Sequence, residues 1–267
     1  MHQAAPRQIA FVLAMTDHGA MILNRNDYRV FESGGVFGVG HELLRDSKFS
    51  ETEVRGALEL LTNRRADFGD GVIALDCGAN IGVHTVEWAR AMTDWGRVIA
   101  FEAQERIFYA LAGNIALNNC GNASAIHAAL GAEAGLMSIP EPDYDQPGNF
   151  GGFELKARAD GAEPIGQAID YGRLTKEVKV VAIDELALPR LDFLKIDVEG
   201  MELEVLHGAI DSLRRHRPQM VVETLKSGFE PLRDFLEPLG YRIWPWGQNL
   251  VAAHLTDPAS ERIAFQA

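Results

Sequence analysis

Val72-Ile73-Ala74-Leu75-Asp76-Cys77-Gly78-Ala79-Asn80-Ile81-Gly82 joins a short apolar run to a glycine-rich turn that carries an acid. Four consecutive apolar residues bounded by turn residues read as a strand covered on both faces. The glycines let a ligand approach the main chain closely, and a helical stretch from Val83 to Met92 follows at once. Strand, turn and helix together form the entrance of a nucleotide-type cofactor site. Dinucleotide sites need a glycine where Asn80 stands, so that a pyrophosphate can reach backbone and helix terminus. Asp76, ahead of the first glycine, instead suits the amino-acid end of S-adenosylmethionine, and the balance favours that cofactor.

A second strand, Arg97-Val98-Ile99-Ala100-Phe101, ends at Glu102, 26 positions after Asp76. Two carboxylate oxygens match the vicinal diol of a ribose, which S-adenosylmethionine and NAD share. Glu102 therefore supports a nucleoside site without choosing between them. The cofactor contacts expected from the residues are Asp76, Gly78, Asn80, Gly82 and Glu102.

Strand candidates at Val72–Asp76, Val98–Glu102, Ser124–His127, Leu191–Asp197 and Gln219–Glu223 alternate with helical segments around 81–92, 105–119 and 199–215. That order predicts an α/β sheet of Rossmann-like type with helices on both faces. Leu203, Leu206, Ile210 and Leu213 recur at helical spacing and read as core. Residues 71–267 are expected to form the cofactor-binding domain, and residues 1–70 an N-terminal elaboration. In the latter, Phe11 to Met15 and Ala20 to Leu23 flank an Asp17-His18-Gly19 turn, and Ser50-x-x-Glu53 reads as a capping box opening a helix. Cofactor cover, homo-oligomer contact and plain packing support are all uses open to this region. Residues 140–177 interrupt the alternation with prolines and glycines, as a lid or recognition loop does. Tyr144, Phe150 and Phe153 either enclose a substrate or anchor that loop to the core.

The 47% hydrophobic content is ordinary for a globular chain of 267 residues. No apolar run approaches membrane-spanning length, and Met1 to Pro6 lacks a basic region leading into an apolar signal core, which predicts a cytoplasmic protein. A formal charge of −13 argues against a nucleic-acid surface. The cluster Arg214, Arg215, His216 and Arg217 falls at a predicted helix C-terminus, where cations complement the helix dipole. Cys77 and Cys120 show no zinc or CxxC spacing.

Ligands of open α/β sheets lie outside the carboxyl ends of strands, so Asp76, Glu102, Asp197 and Glu223 should converge along one edge. Like charges brought together need compensation, which a sulfonium, an ammonium, Lys195 and Lys226 can provide. Lys195, Asp197, Glu199 and Glu223 are the candidates for handling the acceptor and its proton. Asp197 and Glu223 alone offer too few oxygens for a hard cation, so no metal is expected. His84 adds no metal pattern and reads as a cofactor-contacting or capping residue.

Across residues 70–225 the chain resembles the FkbM family of S-adenosylmethionine-dependent methyltransferases. Asp76 to Gly82 looks like the first motif of the family, Phe101-Glu102 like its ribose-binding strand end and Asn114-Ile115-Ala116-Leu117-Asn118 like its next helix. Leu194-Lys195-Ile196-Asp197-Val198-Glu199-Gly200 is the most specific match, and Asn149-Phe150-Gly151-Gly152 resembles a recurring segment. Ala103 and Met201 depart from the proline and alanine usual there, without loss of a reactive group. The resemblance implies a class I methyltransferase sheet and an O-methyltransferase acting on a hydroxyl of a small molecule or glycan precursor. An NAD-dependent oxidoreductase and a noncatalytic cofactor-binding scaffold are the alternatives.

Overall fold

The computed structural model describes residues 8–157, 161–173 and 175–263. The expectation for Met1 to Pro6 lies outside the described residues. The chain opens with a hairpin, β1 (Phe11–Thr16) and β2 (Gly19–Asn24), and a shorter one, β3 (Arg29–Val30) and β4 (Val36–Phe37). Helices α1 (Val39–Asp46) and α2 (Glu51–Phe68) follow. The alternating core then begins with β5 (Val72–Cys77), α3 (Val83–Ala91), β6 (Gly96–Glu102), α4 (Glu105–Leu117) and β7 (Ala123–His127). Next come β8 (Ala129–Leu130), β9 (Gly135–Ile139) and β10 (Lys176–Val181), which build a separate three-stranded sheet that the sequence pattern did not announce. The chain closes with β11 (Phe193–Ile196), α5 (Glu202–His207), α6 (Ile210–His216), β12 (Gln219–Glu223), α7 (Phe229–Leu236), β13 (Tyr241–Trp246), β14 (Asn249–His254) and α8 (Ala259–Arg262).

Seven strands form the main sheet in the order β7-β6-β5-β11-β12-β14-β13, and only β14 runs against its neighbours. This is an α/β Rossmann-like sheet. Strand alternation sorts the apolar residues onto two faces. Val72, Ala74, Val98 and Phe193 pack with α2 and α3, whereas Leu75, Phe101, Leu194 and Met220 pack with α5, α6 and α7. All six residues of β5 are buried, the apolar run Val72 to Leu75 as expected of a strand covered on both faces and Asp76 and Cys77 with it.

The chain leaves β5 toward β6 and β7, then returns to the other side of β5 at β11. That reversal opens a crevice at the carboxyl ends of β5 and β11, where ligands of such sheets lie.

Two local expectations are corrected. The helix expected over 199–215 begins only at Glu202 and breaks between α5 and α6, because Glu199 and Gly200 have positive φ and the Gly208 backbone presses against Gly131. A Cβ on Gly208 would lie 2.1 Å from the Gly131 carbonyl oxygen. Ser50 does precede α2, yet its left-handed backbone gives no side-chain capping bond, and Glu53 accepts a hydrogen bond from Asn249 Nδ2 instead.

Candidate active site

A cavity of about 570 Å³ opens at the β5/β11 crevice. Its size lies within the range of small-molecule sites, roughly 300–1,000 Å³. Gly78, Asn80 and Glu102 line one half; Lys195, Asp197, Glu199 and Glu223 line the other.

The glycine turn is shaped by contact with the neighbouring strand end. Gly78 has φ +81, and a Cβ there would meet the Asp197 carbonyl oxygen at 1.8 Å, so backbone packing alone demands glycine. Asn80 also has a left-handed backbone, φ 51, which asparagine tolerates better than most side chains. Its N–H donates to Glu102 Oε2 at 3.0 Å, while the Gln104 N–H donates to Glu102 Oε1 at 2.7 Å. The Glu102 carboxyl is thus held by two backbone donors with lone pairs left for a diol. Burial pushes its pKa up to about 7, against the lowering effect of those donors.

Asp76 and Gly82 do not line the cavity. Asp76 lies beneath it, fully buried, where Thr85 Oγ1 donates to Oδ2 at 2.6 Å and Oδ1 has no hydrogen-bond partner among the described residues. It is paired across the sheet with Lys195, so its charge faces that ammonium on the α2/α3 side. Gly82 makes room for Leu111, whose Cδ1 would lie 2.6 Å from an added Cβ.

Beyond the turn, three carboxylates converge: Asp197, Glu199 and Glu223 place oxygens within 4.8 Å of one another. Two lysines answer them. Lys195 Nζ meets Asp197 at 2.8 Å, and Lys226 Nζ pairs with Glu199 while donating to the Gly152 carbonyl oxygen at 3.0 Å. Glu223 Oε2 is buried without a hydrogen-bond partner among the described residues. Burial, then the Asp197 charge, pushes the Glu199 and Glu223 carboxyls well above the ordinary range. Burial opposes the charge of Lys195, but Asp197 and Asp76 outweigh it and raise its pKa. Glu199 holds this place with φ 58, a strained backbone for a side chain of its size and a feature that clusters at functional sites. Buried His84, beside Trp88, lines the same cavity; burial holds its pKa well below the usual value, leaving it neutral.

The described part of the 140–177 segment contributes a wall. Asn149, Gly151, Gly152 and Phe153 face the cavity, but Phe150 does not. Phe150 is fully buried against Tyr144, with ring centroids 4.9 Å apart. Its N–H donates to Asp27 Oδ1 at 2.9 Å, and its carbonyl accepts from Gln104 Nε2 at 2.9 Å. Phe150 and Tyr144 therefore anchor the loop.

Several lining residues escaped the sequence reading because they come from outside the α/β core. Phe31, Phe37, Phe49 and Glu53 belong to the first 70 residues, and Asn249 opens β14. One signal was available. Asn114, polar on an otherwise apolar helix face, is fully buried and donates from Nδ2 to the carbonyls of Ile22 and Ile81 while Oδ1 accepts from the Ile22 N–H. It ties the β1/β2 hairpin to the cofactor turn.

Comparison with known proteins agrees with this geometry. The methyltransferase FkbM domain matches residues 76–243. Methyltransferase 1 of Beauveria bassiana (strain ARSEF 2860) is 27% identical over 191 residues, covering 67% of this chain and 75% of that protein. Methyltransferase sdnD of Sordaria araneosa is 29% identical over 192 residues, covering 63% and 73%. Among solved structures, the FkbM methyltransferase of Methylobacillus flagellatus KT aligns over 72% of this chain and 48% of that one, with 17% identity and a TM-score of 0.46. The domain match spans well over half of the sequence, and it decides between the two nucleoside cofactors. This chain belongs to the FkbM family and is an S-adenosylmethionine-dependent methyltransferase.

Proposed function

We propose that the protein is an O-methyltransferase acting on a hydroxyl of a small molecule or glycan precursor. The observation that carries this reading is the convergence of Asp197, Glu199 and Glu223 beside the cofactor turn, with one buried carboxylate oxygen unpartnered among the described residues. Such an oxygen is a ready partner for an acceptor O–H. The cavity fits the donor. Glu102 presents free lone pairs for the ribose hydroxyls, and backbone from Gly78 to Ile81 lines the approach. Asp76 and Gly82 act from below, the first by holding Lys195 and the second by admitting Leu111.

S-adenosylmethionine supplies a methyl group already activated by its sulfonium, so that the new oxygen–carbon bond forms as the carbon–sulfur bond breaks. The chain has to orient the acceptor oxygen and take its proton. Lys195 and Lys226 hold Asp197 and Glu199 in place through their ion pairs, and one of the three acids accepts the proton. No helix among the described residues is long and apolar enough to cross a membrane.

Asp197→Asn, Glu199→Gln and Glu223→Gln test the assignment, because they preserve shape while removing a base. At least one should lower turnover by about 10²-fold or more with S-adenosylhomocysteine affinity nearly intact, and should alter the rising limb of the pH–rate profile. Normal turnover and pH dependence in all three would place the proton acceptor elsewhere.

A further inference from the structure

The acceptor half of the cavity is crowded with carboxyl groups and carries no cation to spare among its described residues. Apart from Glu102 in the donor half, Glu53, Glu163, Asp197, Glu199 and Glu223 line the cavity, against Arg29, Lys195 and Lys226. Each cation is already engaged: Arg29 with Glu163 at 3.0 Å, Lys195 with Asp197 at 2.8 Å, and Lys226 with Glu199. A phosphate or carboxylate on the acceptor would have to break one of these pairs and then face the displaced acid. Burial raises the pKa of the Glu53 carboxyl as well.

Two unpartnered acceptor atoms point the same way. Glu223 Oε2 and Asn149 Oδ1 are buried, without hydrogen-bond partners among the described residues, on residues that line the cavity. Hydroxyl groups can donate to both. The phosphate group of a fully ionised ester cannot.

The mouth has a different character. Phe31 on the turn after β3, Phe37 at the end of β4 and Leu225 after β12 line the cavity and remain 37%, 43% and 58% exposed. Three large apolar side chains left partly in water at a cavity entrance gain by being covered. Phe49 continues the apolar surface inward.

We propose that the acceptor is an uncharged alcohol with an apolar body, its hydroxyl seated among Asp197, Glu199 and Glu223 and its body covering Phe31, Phe37 and Leu225. This rests on the reading of that half of the cavity as the acceptor site. Anionic alcohols such as phosphorylated sugars, sugar nucleotides and hydroxy acids are disfavoured because Arg29, Lys195 and Lys226 are already paired with acids.

Calorimetry tests the assignment on the full chain. Saturation with S-adenosylhomocysteine comes first, and 4-methylumbelliferyl β-glucoside or its 6-phosphate is then titrated in as a matched pair. The uncharged glycoside should bind at least about ten-fold more tightly than the phosphate, which carries a charge of about −1.5 to −2 near neutral pH. Replacing Phe31 and Phe37 together by alanine should weaken glycoside binding by about ten-fold at an unchanged melting temperature, as expected for apolar contacts worth a little over 1 kcal/mol. Phosphate binding as tight as the glycoside, no glycoside binding to the loaded chain, or an unaltered glycoside affinity in the double variant would each overturn the proposal. Failure of S-adenosylhomocysteine itself to bind would instead remove the donor-site reading beneath it.

Discussion

Glu102 illustrates how much one residue does once its neighbours are known. Its position at a strand end was legible from Arg97 to Glu102, because an apolar run ending in an acid 26 residues after Asp76 is a local pattern. What the pattern could not give is the pair of backbone donors from Asn80 and Gln104, since they depend on how two separate turns meet. Glu102→Ala should weaken S-adenosylhomocysteine binding by about 1.5–3 kcal/mol, the worth of hydrogen bonds to a charged group. Because the donor-free carboxyl titrates at about 7, the ionised form that best accepts a diol becomes dominant above that pH. Donor affinity should therefore rise as the pH passes through about 7 and level off above it, and Glu102→Gln should abolish the rise. A flat profile in the unmodified protein, measured by calorimetry, would separate Glu102 from the ribose. Asp76 teaches the opposite lesson. Its sequence position suggested direct cofactor contact, but the pleat turns it under the floor toward Thr85 and Lys195.

Among elements, the 149–153 segment changes meaning most. Its aromatics fitted a lid and an anchor equally well, because composition does not say which side of a loop faces the core. The structure divides them: Phe150 is pinned by Asp27 and Gln104, while Phe153 faces the cavity with 2% exposure. Phe150→Ala should cost about 3–5 kcal/mol of stability, as removal of a buried aromatic ring does. It should also weaken donor binding, since the same loop braces Gln104 and hence Glu102. Chemical denaturation is the measurement, and a loss below about 1 kcal/mol would contradict the anchoring role. The α/β alternation itself was readable because buried strands and amphipathic helices have distinct periods. By contrast β8, β9 and β10 were missed. β8 spans two residues, and β9 exposes Leu136 on a strand with no clean alternation.

At the scale of the whole molecule, buried acids make stability depend on pH. Asp27 titrates at about 6 in the folded chain and Glu102 at about 7, above their ordinary values of 3.8 and 4.5, chiefly through burial. The folded state holds these protons more tightly than the unfolded state. Their contribution is fully present below about pH 4 and is lost as the pH rises through 6 and 7. The donor-free protein should consequently melt at a higher temperature near pH 5.5 than near pH 8, and Asp27→Asn should flatten the lower part of that fall. A melting temperature that climbs across this window would contradict the assignment. None of this was legible in the sequence, since neither acid differs locally from an exposed one. The same holds for Arg64, buried between Asp192 and Asp257 at 3.2 and 2.7 Å, which binds α2 to residues 128 and 193 positions away.

That distant bracing continues at the cavity, where Asn249 on β14 holds Glu53 on α2. Trp246 meanwhile packs so closely on Gly56 that an added Cβ would lie 2.6 Å from its ring. During synthesis, α2 leaves the ribosome nearly two hundred residues before these partners do. The glycine turn and Glu102 can assemble early, but the wall that carries Glu53 stays unfinished until β13 and β14 have been translated. A nascent chain arrested between β12 and β13 would thus present a donor pocket without a complete acceptor chamber, so that competence to transfer a methyl group is acquired only with the last hairpin.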